Sequence, residues 1–283
     1  MSLPAPSPDQ APAEAAAAEA GAAGAAAPRP WPTDGMSAEQ LRIREEFVRR
    51  RGYWADDWQL ILELAPEIMA AYTDVSAYAW ESGTLDAKTR EFMYIATTAS
   101  VTHIHPIGIT THGRNAVKAG ATARELVTLL ALLSGIGIAG YLLAVDVLEE
   151  VSPGASRVNE CTDERFESLK DSYVSVFGVW DEGVADGIRS DPDFFTAFLR
   201  WAGAPRQSGI LSPRVVALVC IAANASITHM DRRTLRREIQ AALAIGVTPA
   251  EILEVCNMTS GVSVHSLTVG VPLIAELFRD DAT

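Results

Sequence analysis

The chain has few cysteines and few basic residues, and both shortages narrow the functions open to it. Its 283 residues include three cysteines, Cys161, Cys220 and Cys256, which lie far apart and form no CxxC spacing. This pattern argues against a disulfide framework and against a thiolate zinc site. Lys and Arg total 23 against 36 Asp and Glu, giving a net charge of −13. Because an acidic surface repels a phosphate backbone, we expect no nucleic-acid partner.

Large apolar residues are almost missing from residues 1–35, which consist mainly of Ala, Pro and Gly. A segment of this composition cannot bury enough surface to fold, so we expect a disordered tail. It also lacks the basic start and apolar core of a signal peptide. We therefore expect a cytoplasmic protein.

The rest of the sequence repeats itself at an interval of 126 residues. IATTASVTH (95–103) aligns with IAANASITH (221–229), and NAVKAGATARELV (115–127) aligns with AALAIGVTPAEIL (241–253). A period this long indicates two similar domains, since solenoid repeats typically have about 20–50 residues. We predict a first repeat over residues 36–155 and a second over residues 156–283.

One uncharged stretch, Leu126–Val145, is long enough to cross a bilayer, which takes about 20 residues. Its partner in the second repeat, Ile252–Val271, contains Glu254, Asn257 and His265, which are unfavourable in a membrane core. Two copies of one fold should bury the same element in the same way. We therefore predict no membrane span, but a helix, a Ser-Gly break and a second helix, buried in the core or against another subunit.

Apolar residues recur at intervals of three and four throughout, and no strand alternation persists, so we predict an all-α fold. Both repeats also contain a T-x-x-E sequence, which is typical of a capping box at a helix start. The predicted helices lie within Asp56–Ala79, from Asp86 or Ala87 to about Ser100, over Pro106–Ala119, and after Thr122 and Thr248.

The segments LDAKTRE (85–91) and HGRNAVKAGATAREL (112–126) resemble the carboxymuconolactone decarboxylase and alkylhydroperoxidase D-like superfamily. The second repeat carries a related pattern in LSPRVVA (211–217) and EIQAALAIGVTPAEIL (238–253). The resemblance covers most of residues 45–280 and implies two tandem all-α units of this family. Because members of the family assemble as trimers or hexamers, it also implies a homotrimer of tandem chains.

The superfamily divides by chemistry. Its peroxide-reducing members carry a CxxC whose second Cys precedes a His by four residues, and counting back from His112 places His105 and Gly108 there. With no thiol at either position, thiol peroxidase activity is not expected. The decarboxylase members resemble cofactor-free acid–base enzymes, and His112 matches their histidine. Gly108 stands where those members often have a glutamate, which leaves the substrate open.

Three of the five histidines lie in THIHPIGITTHG, residues 102–113. If Pro106 begins a helix, His105 lies at its N-terminus and His112 lies two turns further along the same face. A substrate carboxylate could bind at the helix N-terminus, beside an imidazole that exchanges protons near pH 7. We therefore predict that His112 transfers the proton and that His105 assists it. A buried histidine bonded to backbone is the alternative for both.

His103 differs from these two residues because the second repeat retains it as His229. This retention favours a structural role, such as bracing a helix junction. His103 is also a candidate for substrate binding, together with Arg114 in the HGRNAV motif and His265 after the second Ser-Gly break.

A metal site formed by His103, His105 and His112 is a sharper alternative, since three histidines hold many catalytic zinc ions. His103 and His105 are only two residues apart, and Asp and Glu are absent from residues 100–124. We therefore predict no metal and no other cofactor.

The second repeat replaces His105 and His112 by Asp231 and Glu238, and four arginines flank its equivalent helix. We interpret the arginines as a solvated face or as partners of carboxylates, in preference to an anion-binding edge. They are Arg232, Arg233, Arg236 and Arg237.

The leading hypothesis is a cofactor-free lyase or isomerase that acts on a small carboxylated molecule in the first repeat. The competing hypotheses are a catalytically inactive tandem scaffold or small-molecule binder, and a His-ligated metal-dependent enzyme.

Overall fold

The computed structural model describes residues 35–278, and this part of the chain is helical, with no strand. The predicted all-α class is confirmed. The predicted tail over residues 1–35 lies outside the described residues, apart from Gly35. In chain order the α-helices are α1 (Ala38–Arg51), α2 (Trp58–Leu64), α3 (Pro66–Ser82), α4 (Ala87–Thr98), α5 (Pro106–Lys118), α6 (Ala123–Ser134), α7 (Ile138–Val151), α8 (Asp163–Phe177), α9 (Ala185–Ser190), α10 (Pro192–Gln207), α11 (Pro213–Ala225), α12 (Arg232–Ala244), α13 (Pro249–Ser260) and α14 (His265–Leu277).

The helices begin where local sequence signals predict. The Asp86 carboxylate accepts a hydrogen bond from the Thr89 N–H at the start of α4. Both T-x-x-E sequences form complete capping boxes, with Thr122 and Thr248 as the N-cap residues. Such caps pair backbone N–H groups that a helix start leaves without partners.

The apolar run predicted as helix, break and helix has that form. Helix α6 ends at Ser134, a 3-10 turn follows over Gly135–Gly137, and α7 begins at Ile138. By length and composition alone, Ala123–Val151 and Pro249–Leu277 could each span a membrane, which is weak evidence for a span. In each of these segments, only 28% of the most apolar stretch of 18 residues is buried within the chain.

The helix bounds recur at the interval found in the sequence. Helices α4, α5 and α6 begin 126 residues before α11, α12 and α13 respectively. This is the pattern that a duplication predicts, and the division into two repeats near residue 155 stays a prediction. We call residues 38–155 the first half and residues 156–278 the second half.

The two halves interlock in one compact unit that begins at Ala38. Helices α4 and α11 pack against each other at the centre, where Phe92, Met93, Leu218 and Ile221 are fully buried. The last helices of each half cover the other half: α6 packs on α10 and α7 on α9, while α13 packs on α3 and α14 on α2. Each half therefore supplies part of the surroundings of the other.

Glu254, on α13, binds the second half to the first. Its carboxylate accepts hydrogen bonds from the backbone N–H groups of Thr84 (2.6 Å) and Leu85 (3.2 Å) and from Arg90 Nε (3.2 Å). Glu254 and Arg90 are both buried. A Cβ at Gly83 would lie 2.1 Å from Glu254 Oε1, so this close approach requires glycine. The contact fixes α13 over the turn between α3 and α4.

We expect Glu254→Ala to lower the free energy of unfolding by about 3–5 kcal/mol, because it leaves Arg90 buried without its carboxylate. Urea denaturation of the variant measures this change. The matched control is Glu276→Ala, at an exposed position on α14, which should change stability by less than about 0.5 kcal/mol. Equal stability of the two variants would contradict the role given to Glu254.

Candidate active site

A cavity of about 530 Å³, including the space at its mouth, lies among the C-terminus of α1, helices α4 and α5, and the turn before α14. His112 and His105 from α5 line it, as predicted for two residues on one helix face. His265 lines it from the second half. The structure thus brings three of the predicted site residues to one cavity.

His112 forms a buried pair with Glu91 on α4. The distance from His112 Nδ1 to Glu91 Oε2 is 2.7 Å, and 11% and 3% of the two side chains are exposed. An ionised Glu91 accepts the Nδ1–H, which leaves Nε2 as the basic nitrogen of the ring. Such a carboxylate also stabilises the imidazolium that forms when His112 takes up a proton.

Glu91 was not predicted from the sequence as the partner of His112, because acidic residues were considered only between residues 100 and 124. The partner comes from the preceding helix, which packs beside α5. Its signal was present, since Glu91 closes the LDAKTRE segment on which the family resemblance rests.

Tyrosine rings hold the His112 imidazole in place. Tyr94 stacks on it with a centroid distance of 4.6 Å and an interplanar angle of 18°. Tyr53 meets it edge-on at 6.4 Å. The orientation of the ring is therefore set by packing as well as by Glu91.

His105 is the N-cap residue of α5, at the helix mouth where it was predicted. Its Nδ1 accepts a hydrogen bond from the Gly108 N–H (3.0 Å), and its Nε2 is buried without a partner among the described residues. Burial, and then the neighbouring His103 and His112, lower its pKa. His105 is therefore neutral near pH 7.

The close packing around Gly108 explains why this chain has glycine where decarboxylase members often carry glutamate. A Cβ there would lie 2.8 Å from both His105 Nδ1 and Thr98 Cγ2. Helices α4 and α5 are too close for any larger residue unless one of these neighbours moves. The glycine and the His105 cap thus belong to one arrangement.

His103 contacts the cavity through His265 and does not line it. His103 Nε2 lies 2.6 Å from His265 Nδ1, and the His265 ring stacks on His105 at 3.8 Å. Burial, and then the other histidines, lower the pKa of His265 to about 3, so this ring is neutral at pH 7. Thr102, beside His103, is 3.3 Å from Thr228 through their hydroxyl groups, a contact between equivalent residues of the two halves.

Arg114 is exposed on α5 and does not line the cavity. The substrate-binding roles of Arg114 and His103 stay predictions.

Arg51, at the end of α1, is a cavity-lining residue that the sequence analysis did not identify. It is 4% exposed, and its guanidinium carbon lies 4.7 Å from the centre of the Trp80 ring and 5.1 Å from that of Tyr94. Arg51 Nε and Nη1 are buried without hydrogen-bond partners among the residues described. A carboxylate can accept a charge-assisted hydrogen bond from either of these donors. The sequence EEFVRRR (45–51) does not indicate which of its three arginines is buried.

Asp57 also lines the cavity and was missed by the sequence analysis. Burial raises the pKa of its carboxyl group to about 6, against the opposing effect of His112. Its Oδ1 is buried without a partner in the described part of the chain. Near neutral pH this carboxyl group can hold or release a proton.

Within residues 35–278, no group of three or more His, Cys, Asp or Glu side chains is arranged to hold a metal ion. In particular, His112 is turned toward Glu91, and His103 is bonded to His265. The metal hypothesis therefore gains no support from this geometry.

Comparisons with known proteins agree with the all-α fold. The sequence pattern of the carboxymuconolactone decarboxylase family matches residues 66–150, which include Glu91, His105 and His112. A crystal structure from Burkholderia xenovorans, provisionally named a gamma-carboxymuconolactone decarboxylase subunit, is 30% identical, with a TM-score of 0.79. The match covers 86% of this chain and 98% of that one. A comparison with curated proteins found no match. The chain belongs to the carboxymuconolactone decarboxylase family.

The raised pKa of Asp57 predicts how this residue affects stability at different pH. A carboxyl group with a folded-state pKa of about 6 binds a proton more tightly in the folded than in the unfolded state, where the value is about 4. The free energy of unfolding therefore falls as the pH rises from about 4 to 6. We expect Asp57→Asn to be more stable than the wild type by about 1–2 kcal/mol at pH 7.5, with little difference at pH 4.

Urea denaturation at the two pH values measures this effect. Asp171→Asn, at an exposed position on α8, is the control and should show no such pH dependence. An Asp57→Asn variant that is less stable than the wild type at pH 7.5 would contradict the prediction.

Proposed function

We propose that the protein is a cofactor-free lyase or isomerase that acts on a small carboxylated substrate by acid–base catalysis. The family match and the structural likeness support a decarboxylase-like function. The observation that carries the proposal is that the His112–Glu91 pair and the buried Arg51 guanidinium, two of whose nitrogens have no hydrogen-bond partner among the described residues, line or adjoin one cavity. The His112–Glu91 pair can exchange protons, and the Arg51 guanidinium can bind a carboxylate.

The carboxylate of the substrate accepts a hydrogen bond from one of the two Arg51 nitrogens that have no partner, Nε or Nη1. These donors lie in a buried, ring-lined place where a charge-assisted hydrogen bond is stronger than in water. The guanidinium is held in position by the stacked Trp80 and Tyr94 rings, so little ordering is required when the substrate binds.

The His112 Nε2 exchanges a proton with a substrate carbon or oxygen, while Glu91 stabilises the resulting imidazolium. In a decarboxylation, the bond to the departing carboxyl carbon breaks and its electron pair remains on the substrate as an enolate or carbanion. A protonated His112 or Asp57 then supplies the proton that completes the product. In an isomerisation the same groups remove and return a proton.

The neutral His105 and His265 provide the remaining polar wall, with His105 Nε2 available to a substrate oxygen. His103 does not line this wall, but its hydrogen bond to His265 holds that ring in place.

The kinetic test starts from a screen of carboxylated lactones and β-keto acids. With any substrate found, we expect His112→Ala to lower kcat by about a hundred- to ten-thousand-fold, because the proton-transfer group is removed. Arg51→Met should mainly raise KM, because it removes the carboxylate partner but retains an apolar stem. His229→Ala, in the equivalent Thr-His context of the second half, is the control and should leave both constants unchanged.

Full activity of a folded His112→Ala variant would overturn the assignment of the proton-transfer residue. If the wild type turns over no compound in the screen but binds several, the inactive-binder alternative is favoured.

We also propose that the tandem chains form a homotrimer in the cytoplasm. The support is the apolar surface on the last two helices of each half, which is too large for a typical monomer surface. Its exposed side chains include Val127, Leu143, Leu253 and Leu273, each at least 60% exposed.

We expect light scattering to give a mass of about 91 kDa, three times the 30.3 kDa of one chain. Leu143→Glu combined with Leu273→Glu should shift the mass toward that of one chain, because charges in an apolar interface are unfavourable. Val158→Glu, between α7 and α8, is the control. A wild-type mass near 30 kDa would contradict the proposal.

A further inference from the structure

A second cavity lies in the second half. It is formed by α10, α11 and α12 together with the turn after α6, and so is equivalent in position to the candidate active site. Its polar lining consists of Arg206, Arg237, Glu238 and Asn224, with Thr234 at one side. Of the two roles predicted for the α12 arginines, Arg237, which is 6% exposed, has the second, as the partner of a carboxylate.

This cavity holds two guanidinium groups and one carboxylate. Glu238 Oε1 accepts hydrogen bonds from Arg206 Nη2 and Arg237 Nη2, both at 2.6 Å, and Glu238 is 1% exposed. Burial opposes the ionisation of Glu238, but the two arginines keep its pKa below the usual value. A single negative charge is thus shared by two positive charges.

The other contacts of the two arginines do not balance this excess. Arg237 Nη1 donates to the Tyr173 hydroxyl (2.8 Å), and Arg206 Nη2 donates to Cys220 Sγ (3.2 Å). Burial raises the pKa of the Cys220 thiol to about 12, so the sulfur carries no charge at pH 7. A buried net positive charge is unfavourable unless an anion neutralises it.

Two buried polar atoms at the cavity also remain without partners among the described residues. Arg237 Nε is an unused donor, and Asn224 Oδ1 is an unused acceptor on a residue that is 1% exposed. Because such atoms are normally hydrogen-bonded, they indicate a bound group that accepts from Arg237 Nε and donates to Asn224 Oδ1. A carboxylate meets the first requirement, and a hydroxyl group on the same molecule meets the second.

The Phe177 ring packs against both guanidinium groups. The Phe177 ring centre lies 4.6 Å from the Arg206 guanidinium carbon and 4.2 Å from that of Arg237. The remaining lining is apolar and includes Ile136 and Phe198. The cavity therefore offers a charged end and an apolar body.

We propose that this cavity binds a small monocarboxylate, whose charge neutralises the Arg206–Glu238–Arg237 cluster and whose body lies against Ile136 and Phe198. This site is separate from the candidate active site, and its existence does not depend on the function proposed for the latter.

The test uses calorimetric titration of the full chain with benzoate, in a buffer free of carboxylates. Arg51→Met removes the main carboxylate partner of the first cavity, and we expect this variant to bind one benzoate per chain. Adding Asn224→Asp, which places a negative charge at the second cavity, should weaken this binding at least tenfold. Adding Arg236→Ala instead, at an exposed position on the same helix as Arg237, should leave it unchanged. Benzamide, which is uncharged, should not bind.

If a variant fails to fold, a crystal structure of the wild type with benzoate tests the proposal instead. Electron density for the carboxylate beside Arg237 Nε supports the proposal. Water alone in this cavity at saturating benzoate, or failure of folded Arg51→Met to bind benzoate, overturns it.

Discussion

The position of α13 and α14 over the first half is the constraint on which the rest of the structure depends. These helices close the cavity around His112, and the Glu254 carboxylate fixes them through two backbone N–H groups and Arg90. Without them, His265 and the Gly261 turn would be missing from the cavity wall. The candidate active site is therefore a property of the interlocked halves, since the half that carries the family motif lacks one wall of its own cavity.

The two cavities differ in which of two equivalent positions holds an arginine and which holds an aromatic residue. In the first, Arg51 packs over Trp80, and in the second, Phe177, the equivalent of Arg51, packs under Arg206, the equivalent of Trp80. The cation–π contact is kept, but the cation has moved to the other partner. Around it, Glu238 and Ala217 stand at the positions equivalent to His112 and Glu91, so a charge cluster with Arg206 takes the place of the hydrogen-bonded pair.

Sequence periodicity and capping signals were sufficient to predict α4, α5, α6 and α13 and their starts, because these depend on residues close in the chain. The placement of His112 and His105 on one helix face was predicted for the same reason, since it depends only on their spacing in the chain. Glu91, Arg51 and Asp57 come from other elements, and only packing brings them to the cavity. Burial, which raises the pKa of Asp57 and leaves the Arg51 donors without partners, is likewise absent from any local pattern.

The covalent joining of the two halves has a consequence for how such sites can diverge. In a symmetric dimer of single halves, every substitution falls on both cavities at once, so a change that harms one harms its twin. In a single chain the positions are independent, and residue 112 can remain histidine while residue 238 becomes glutamate. The link therefore permits the residues that line one cavity to change while those that line the other stay the same.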